Sequence, residues 1–269
     1  MLLSQEVLRR IRNFVVDLDG VVYLLNTPIP DNVEFLHLAR LRGFRIAFLT
    51  NNTFLPREGY VAKLRSMGVE AEVDEIFSSA FVTAGYLRQE KPKARVYAIG
   101  ERGLKEELKR AGLQVLPRFS PKGADFVVVG LDRRFTFQKM KTALDFLRQG
   151  ARLVGTNPDP TYPTETGVIP GAGAILASLE RASGCTARVI GKPSPEILRF
   201  TLNALGFRPE ETAIVGDRID TDVLLGKNCG VSTILVLTGV TKSEEVLASP
   251  AKPDVVVGTL RELQSLLNL

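Results

Sequence analysis

The sequence predicts an α/β protein whose parallel sheets are covered by helices. Short apolar, β-branched runs alternate with amphipathic helical stretches along all 269 residues, the pattern of βαβ units. Gly, Pro and cap residues punctuate the joins between them. Polar clusters follow the carboxyl ends of four of the runs, where open α/β sheets keep their ligand crevice.

Phe14-Val15-Val16 reads as a buried first strand. A helix is expected from Asn32 to about Arg42, closed by Gly43. Arg45 to Thr50 is the second strand, and Pro56 opens another helix near position 57 that Gly68 ends. Further strands are expected at 95–99, 125–130, 151–155, 187–190, 212–216, 232–237 and 254–257, with helices in most gaps. Ser194 and Pro195 suit the cap and first residue of one helix, and Thr259 and Glu262 have capping-box spacing at the start of the last. Ala124-Asp125-Phe126-Val127-Val128-Val129-Gly130 and Pro253-Asp254-Val255-Val256-Val257-Gly258 echo each other, as buried parallel strands do, without making a repeat. Asn157 to Gly173, with four prolines and three glycines, is the most irregular stretch and is expected to be a long binding loop.

Composition narrows the function. Hydrophobic residues make up 45% and charged residues 24%, the balance of a soluble globular protein. The net charge of +5 is scattered, with no run of five basic residues, which suits small anions and not nucleic acid. Apolar stretches are interrupted before they reach a membrane span, and Met1 to Arg12 lacks a signal-peptide core. Cys185 and Cys229 form no CxxC or disulfide framework, so a reducing cytoplasm is expected. His37 is the sole histidine and lies in a helical pattern; it reads as structural, and its singularity removes the Ser-His-Asp and Cys-His triads.

Asp17-Leu18-Asp19-Gly20 follows the first strand. Strand alternation would set both carboxylates on one side, where they repel unless a cation neutralises them or they divide acid and base roles. The same residues also suit an ordinary turn. An EF-hand fails, because the twelfth position from Asp17 is Pro28. Thr50-Asn51-Asn52-Thr53, Gly191-Lys192-Pro193-Ser194-Pro195 and Gly216-Asp217-Arg218-Ile219-Asp220-Thr221-Asp222 follow three other strands. Singly these could be a helix cap, a solvated lysine loop and a dipole-favoured helix start. Together they bring carboxylates able to hold magnesium, a hydroxyl with amide donors, and one lysine, a set that suits a phosphoryl group. Without a catalytic histidine or cysteine, an aspartate is the natural nucleophile.

The order Asp17-x-Asp19-Gly20-Val21, Thr50-Asn51-Asn52, Lys192-Pro193 and Gly216-Asp217-x4-Asp222 resembles the haloacid dehalogenase-like superfamily of phosphatases. More narrowly it is similar to the NagD / p-nitrophenylphosphatase branch, over residues 12 to 258. The resemblance implies a Rossmann-like parallel-sheet core at 1–82 and 184–269, with an α/β cap of the C2 type inserted at 83–183. It implies that Asp17 is a nucleophile forming an aspartyl-phosphate, and that Asp19 protonates the leaving oxygen and then activates water. Magnesium (Mg2+) would be held by the carboxylates of Asp17 and Asp217 and by the backbone carbonyl of Asp19. Thr50, Lys192 and Asn51 would bind phosphoryl oxygens, with Gly20, Asn52 and Asp222 in support and no catalytic role for Asp220. Asn157 and Tyr162 are the candidate specificity residues of the cap loop. The substrate would be a small phosphorylated metabolite, and a cap-mediated homodimer follows by analogy.

Two other enzyme or binder readings use the same residues: a phosphotransferase or phosphomutase, and a non-catalytic binder of phosphate ligands. A dinucleotide-binding reading of Gly171-Ala172-Gly173 is weak, because Leu176 replaces the third glycine.

Overall fold

Asn13–Val16 forms β1, buried throughout. It pairs in parallel with β4 (Arg45–Thr50) on one side and β13 (Thr212–Gly216) on the other. A strand enclosed on both faces is apolar along its whole length, which is why these runs do not alternate. The computed structural model, described over residues 8–267, extends this sheet to six strands. Their order is β15 (Val255–Val257), β14 (Ser232–Val236), β13, β1, β4 and β5 (Ile76–Ser78). The helices between them include α1 (Pro30–Leu41), α2 (Arg57–Ser66), α7 (Pro195–Leu205) and α8 (Leu224–Cys229), and α10 (Arg261–Leu267) follows β15. α1 begins earlier than expected because Pro30 occupies its first turn, where the missing N–H costs nothing.

The chain divides into two units. One is drawn from the segment ending at Thr50, from Tyr60–Phe77 and from Lys192 onward; the other comprises Asn51–Gly59 and Ser78–Gly191. The second unit has its own five-stranded sheet, ordered β12 (Arg188–Val189), β9 (Arg152–Gly155), β8 (Phe126–Val129), β6 (Arg95–Ile99) and β7 (Gln114–Leu116), parallel throughout. Helices α5 (Phe137–Arg148) and α6 (Ala172–Ser183) cover it. Ile99, Val129, Phe146, Ile175 and Leu179 lie in the resulting core. The expected irregular loop is instead a hairpin. β10 (Thr161–Thr164) pairs antiparallel with β11 (Gly167–Pro170), an exposed ladder in which proline is tolerated.

The echoed segments have a shared purpose. Asp125 accepts the Arg95 N–H (2.6 Å) at the start of β6 and returns its own N–H to the Arg95 carbonyl (2.7 Å). Asp254 accepts the Thr233 N–H and hydroxyl (both 2.8 Å) in β14, and its own N–H donates to the Thr233 carbonyl (3.1 Å). Lys91 and Lys227 donate to the two carboxylates. Both carboxyls are held below their ordinary pKa: burial opposes this, but the lysine and the N–H bonds outweigh it.

The capping box at the last helix is only half formed. Glu262 accepts the N–H groups of Gly258 (2.9 Å) and Thr259 (3.4 Å), while the Thr259 hydroxyl donates to Asp31 (3.2 Å) instead of capping. Cys185 and Cys229 are free thiols. Among the described residues, no helix is long and apolar enough to cross a membrane. The expectation about Met1 to Arg12 falls mostly on residues 1–7, outside those described.

Candidate active site

The register of the first sheet assembles the site. Val16 lies opposite Val215 and opposite Phe48, and the Asp17 N–H donates to the Val215 carbonyl (2.9 Å). Asp17 therefore leaves the sheet beside Gly216-Asp217, with the buried Thr50 closing β4 on the other side. Strand alternation does not place Asp19, because β1 stops at Val16. The Leu18 carbonyl accepts the N–H groups of Val21, Val22 and Tyr23 (3.3, 2.9 and 3.3 Å), so the chain turns sharply, and buried Leu18 anchors the turn. A short hairpin of β2 (Tyr23–Leu24) and β3 (Thr27–Pro28) follows.

Lys192 is 2% exposed. Its Nζ lies 2.7 Å from Oδ1 of Asp17 and 2.7 Å from Oδ1 of Asp222. Burial works against the charge on Lys192, but the two carboxylates raise its pKa above the ordinary lysine value. Carboxylate oxygens of Asp17, Asp217 and Asp222 lie within 4.8 Å of one another, so three buried acids share one ammonium. Burial, reinforced by the charge of Asp222, pushes the Asp217 carboxyl up to about 6. Burial likewise raises Asp17 well above the usual carboxylate range, with Lys192 pulling the other way.

That surplus of negative charge fits a cation. Asp217 Oδ2 accepts the Val240 N–H (2.7 Å), but its buried Oδ1 has no hydrogen-bond partner among the described residues, a costly state for a carboxylate oxygen. A hard divalent cation takes such oxygens. Asp222 is already engaged. One oxygen faces Lys192, and the other accepts from the Arg218 N–H and the Thr221 hydroxyl (both 3.3 Å). Asp217 and Asp17 are thus the side chains suited to hold the metal, and Asp222 secures the lysine. Asp220 turns away to Arg218, with contacts of 3.0 and 2.7 Å.

Gly20 is a supporting residue expected from the sequence, whereas Gly239, Thr238 and Asn32 are not. Gly20 has φ +85°, and a β-carbon there would collide with the Asp217 carboxylate; Gly239 is confined by the same carboxylate. The Thr238 hydroxyl donates to the Gly20 carbonyl (2.6 Å). Asn32, fully buried in α1, donates to the Val21 carbonyl (2.7 Å) and accepts the Leu260 N–H (2.7 Å). A buried asparagine in a first helical turn was the one available clue.

The remaining candidates belong to the second unit, whose first residue is Asn51. The Asn51 amide donates to Asp159 (3.1 and 3.3 Å), and the Asn51 carbonyl accepts from Asn157 (2.9 Å) and Ser79 (2.7 Å). Asn52 donates to the Tyr162 hydroxyl (2.9 Å) and accepts the Phe54 N–H (3.0 Å). Phe54 meets the Tyr162 ring edge-on at 5.1 Å, and the Arg133 guanidinium lies 4.5 Å from the Phe54 ring centre. The structure therefore gathers Asn51, Asn52, Asn157 and Tyr162 into one polar–aromatic cluster.

Residues 14–114 match the family model described as haloacid dehalogenase-like hydrolase, and residues 189–263 match a second, HAD-hydrolase-like model. The 5'-nucleotidase YutF of Bacillus subtilis is 36% identical over 251 residues, covering 93% of this chain and 96% of that protein. The crystal structure of a 4-nitrophenylphosphatase from Thermotoga maritima superposes with a TM-score of 0.91 at 37% identity, covering 97% of this chain and 99% of the other. NagD from E. coli gives a TM-score of 0.86 at 34% identity, with coverages of 94% and 98%.

Proposed function

The chain belongs to the haloacid dehalogenase-like hydrolases, in the branch of NagD and the p-nitrophenylphosphatases, and from that premise we propose that it hydrolyses small-molecule phosphomonoesters with magnesium through an aspartyl-phosphate on Asp17. Its enzyme class is that of hydrolases acting on phosphoric monoesters. The observation that carries the fuller reading is the buried pairing of Asp17 with Lys192 beside the unpartnered oxygen of Asp217.

Lys192 holds one oxygen of Asp17, which orients the carboxylate so that the other oxygen attacks phosphorus. A bond forms between Asp17 and phosphorus as the ester P–O bond breaks. The leaving oxygen takes a proton from Asp19. Water then attacks the phosphoryl group, gives its proton to the Asp19 carboxylate, and releases inorganic phosphate with Asp17 restored. Thr50 and Lys192 bind the phosphoryl oxygens. Asp17, Asp217 and the Asp19 carbonyl would hold magnesium, which when bound offsets the charge that the phosphate brings to these acids.

The second unit takes the role of the cap in this branch, with Tyr162 and Asn157 as its candidate selectors. The substrate is a small phosphorylated metabolite, and two free cysteines suit a reducing cytoplasm. The test is phosphate release from a panel of phosphomonoesters with magnesium. Release by the wild type and not by Asp17→Asn supports the reading; equal release by both removes Asp17 as nucleophile.

A further inference from the structure

Lys63 projects from α2 toward the hairpin that follows the Asp17–Asp19 turn. Its Nζ donates to the Leu25 carbonyl (2.7 Å) and lies 3.7 Å from the centre of the Tyr23 ring. Leu25 has φ +56°, the left-handed region that a side chain occupies only when its surroundings insist. The hairpin in turn grips the acid–base residue. Asp19 and Tyr23 form an isolated β-bridge, and the Gly20 N–H donates to the Tyr23 carbonyl (2.8 Å).

We propose that Lys63 is a positioning residue for Asp19: by fastening the turn at Leu25 and covering Tyr23, it holds the backbone on which Asp19 sits. The inference rests on the phosphatase reading above. Its charge also reaches the site. Half-burial lowers the Lys63 pKa, and the Asp19 carboxylate works in the opposite direction. An ammonium with a backbone carbonyl, an aromatic face and a carboxylate around it is better placed than a solvated surface lysine needs to be.

The role predicts a dependence on the leaving group. A p-nitrophenolate departs without help, whereas an alkoxide needs the proton that Asp19 supplies. Lys63→Met should lower kcat/KM for glycerol 2-phosphate by about 10- to 100-fold and for p-nitrophenyl phosphate by less than about 3-fold, since general acid catalysis is the part disturbed. Lys63→Arg should restore the alkyl ester. In an Asp19→Asn background, Lys63→Met should have no further effect on the ratio of the two esters, because partners in one device are not additive. Amide hydrogen exchange at residues 20–28 should quicken in Lys63→Met.

Equal losses on both esters, or the same selective loss in the Asp19→Asn background, would overturn the assignment. So would unchanged exchange at the hairpin. If the wild type turns over neither ester, the phosphatase reading fails instead, and hydrogen exchange alone decides whether Lys63 fastens the hairpin.

Discussion

Lys192 lies 2.7 Å from Asp17 while its other short contact, also 2.7 Å, goes to Asp222. One ammonium thus links Asp17, the proposed nucleophile, with an acid whose second oxygen also accepts from the Arg218 N–H and the Thr221 hydroxyl. Lys192→Met leaves buried carboxylates facing one another. The expected loss of stability is about 3–5 kcal/mol, as when one partner is removed from a buried ion pair. Chemical denaturation at neutral pH measures it, and phosphate release by the same variant should be abolished. A variant as stable as the wild type would show that the pair contributes nothing to folding.

Magnesium should stabilise the folded chain. A cation that binds only the native state adds about 2.7 kcal/mol at a concentration 100 times its Kd. Thermal unfolding with and without magnesium, after treatment with a chelator, reads this directly. Asp217→Asn should remove most of the shift, because the Asp217 oxygen without a partner among the described residues is a proposed ligand of the cation. An undiminished shift in that variant would place the cation elsewhere.

Gly20→Ala should fail for two reasons at one position. The φ of +85° costs a non-glycine residue about 1–3 kcal/mol. The new β-carbon also pushes on the Asp217 carboxylate, and displacement of a reacting group by about 1 Å costs on the order of 100-fold in rate. Activity should therefore fall further than the melting temperature alone explains. Circular dichroism beside phosphate release separates the two effects.

The aspartates ahead of β8 and β15 make a prediction about acid. Against the effect of burial, the lysine and N–H bonds hold both carboxyls below the ordinary aspartate pKa in the folded chain. A depressed folded pKa means that their stabilising contribution is complete above the unfolded value and is lost as pH falls through the folded one. Asp125→Asn and Asp254→Asn should each unfold at lower denaturant than the wild type at pH 7. The gap should close in strong acid, as pH falls through the lowered folded pKa and the wild-type carboxyls take up protons. A gap that persists at low pH would mean that the amide geometry matters more than the charge.

The strands that carry the fold were legible because burial on both faces demands unbroken apolar runs such as Ile214-Val215 in β13 and Phe126–Val129 in β8. β2, β3, β5 and β7 span two or three residues each, too few to show any periodicity. β10 and β11 were hidden by Pro163 and Pro170 and by their exposure, which removes the apolar signal. The acids and Lys192 stood out because charge is conspicuous at a strand end. Val240, Gly239 and Thr238 did not, since a backbone N–H given to a carboxylate and a missing side chain leave no mark in a sequence. Thr259 misled for a simpler reason: its hydroxyl found Asp31, a residue from the opposite end of the chain.

The discontinuity of the first unit bears on how the protein is made. Every strand of the second sheet, from β6 to β12, has been synthesised before β13 leaves the ribosome, so that sheet can close while β1 still has a neighbour on one side only. Domains settle as units during synthesis, and here the earliest strand is among the last to be enclosed. Lys192 comes just after β12, whereas Asp217 and Asp222 follow β13, so Asp17 meets those two acids only after that strand has emerged. Asp17 and the acids of its cluster meet only when the first and last segments of the first unit come together, so a product truncated before β13 would carry a finished second sheet and an incomplete cluster.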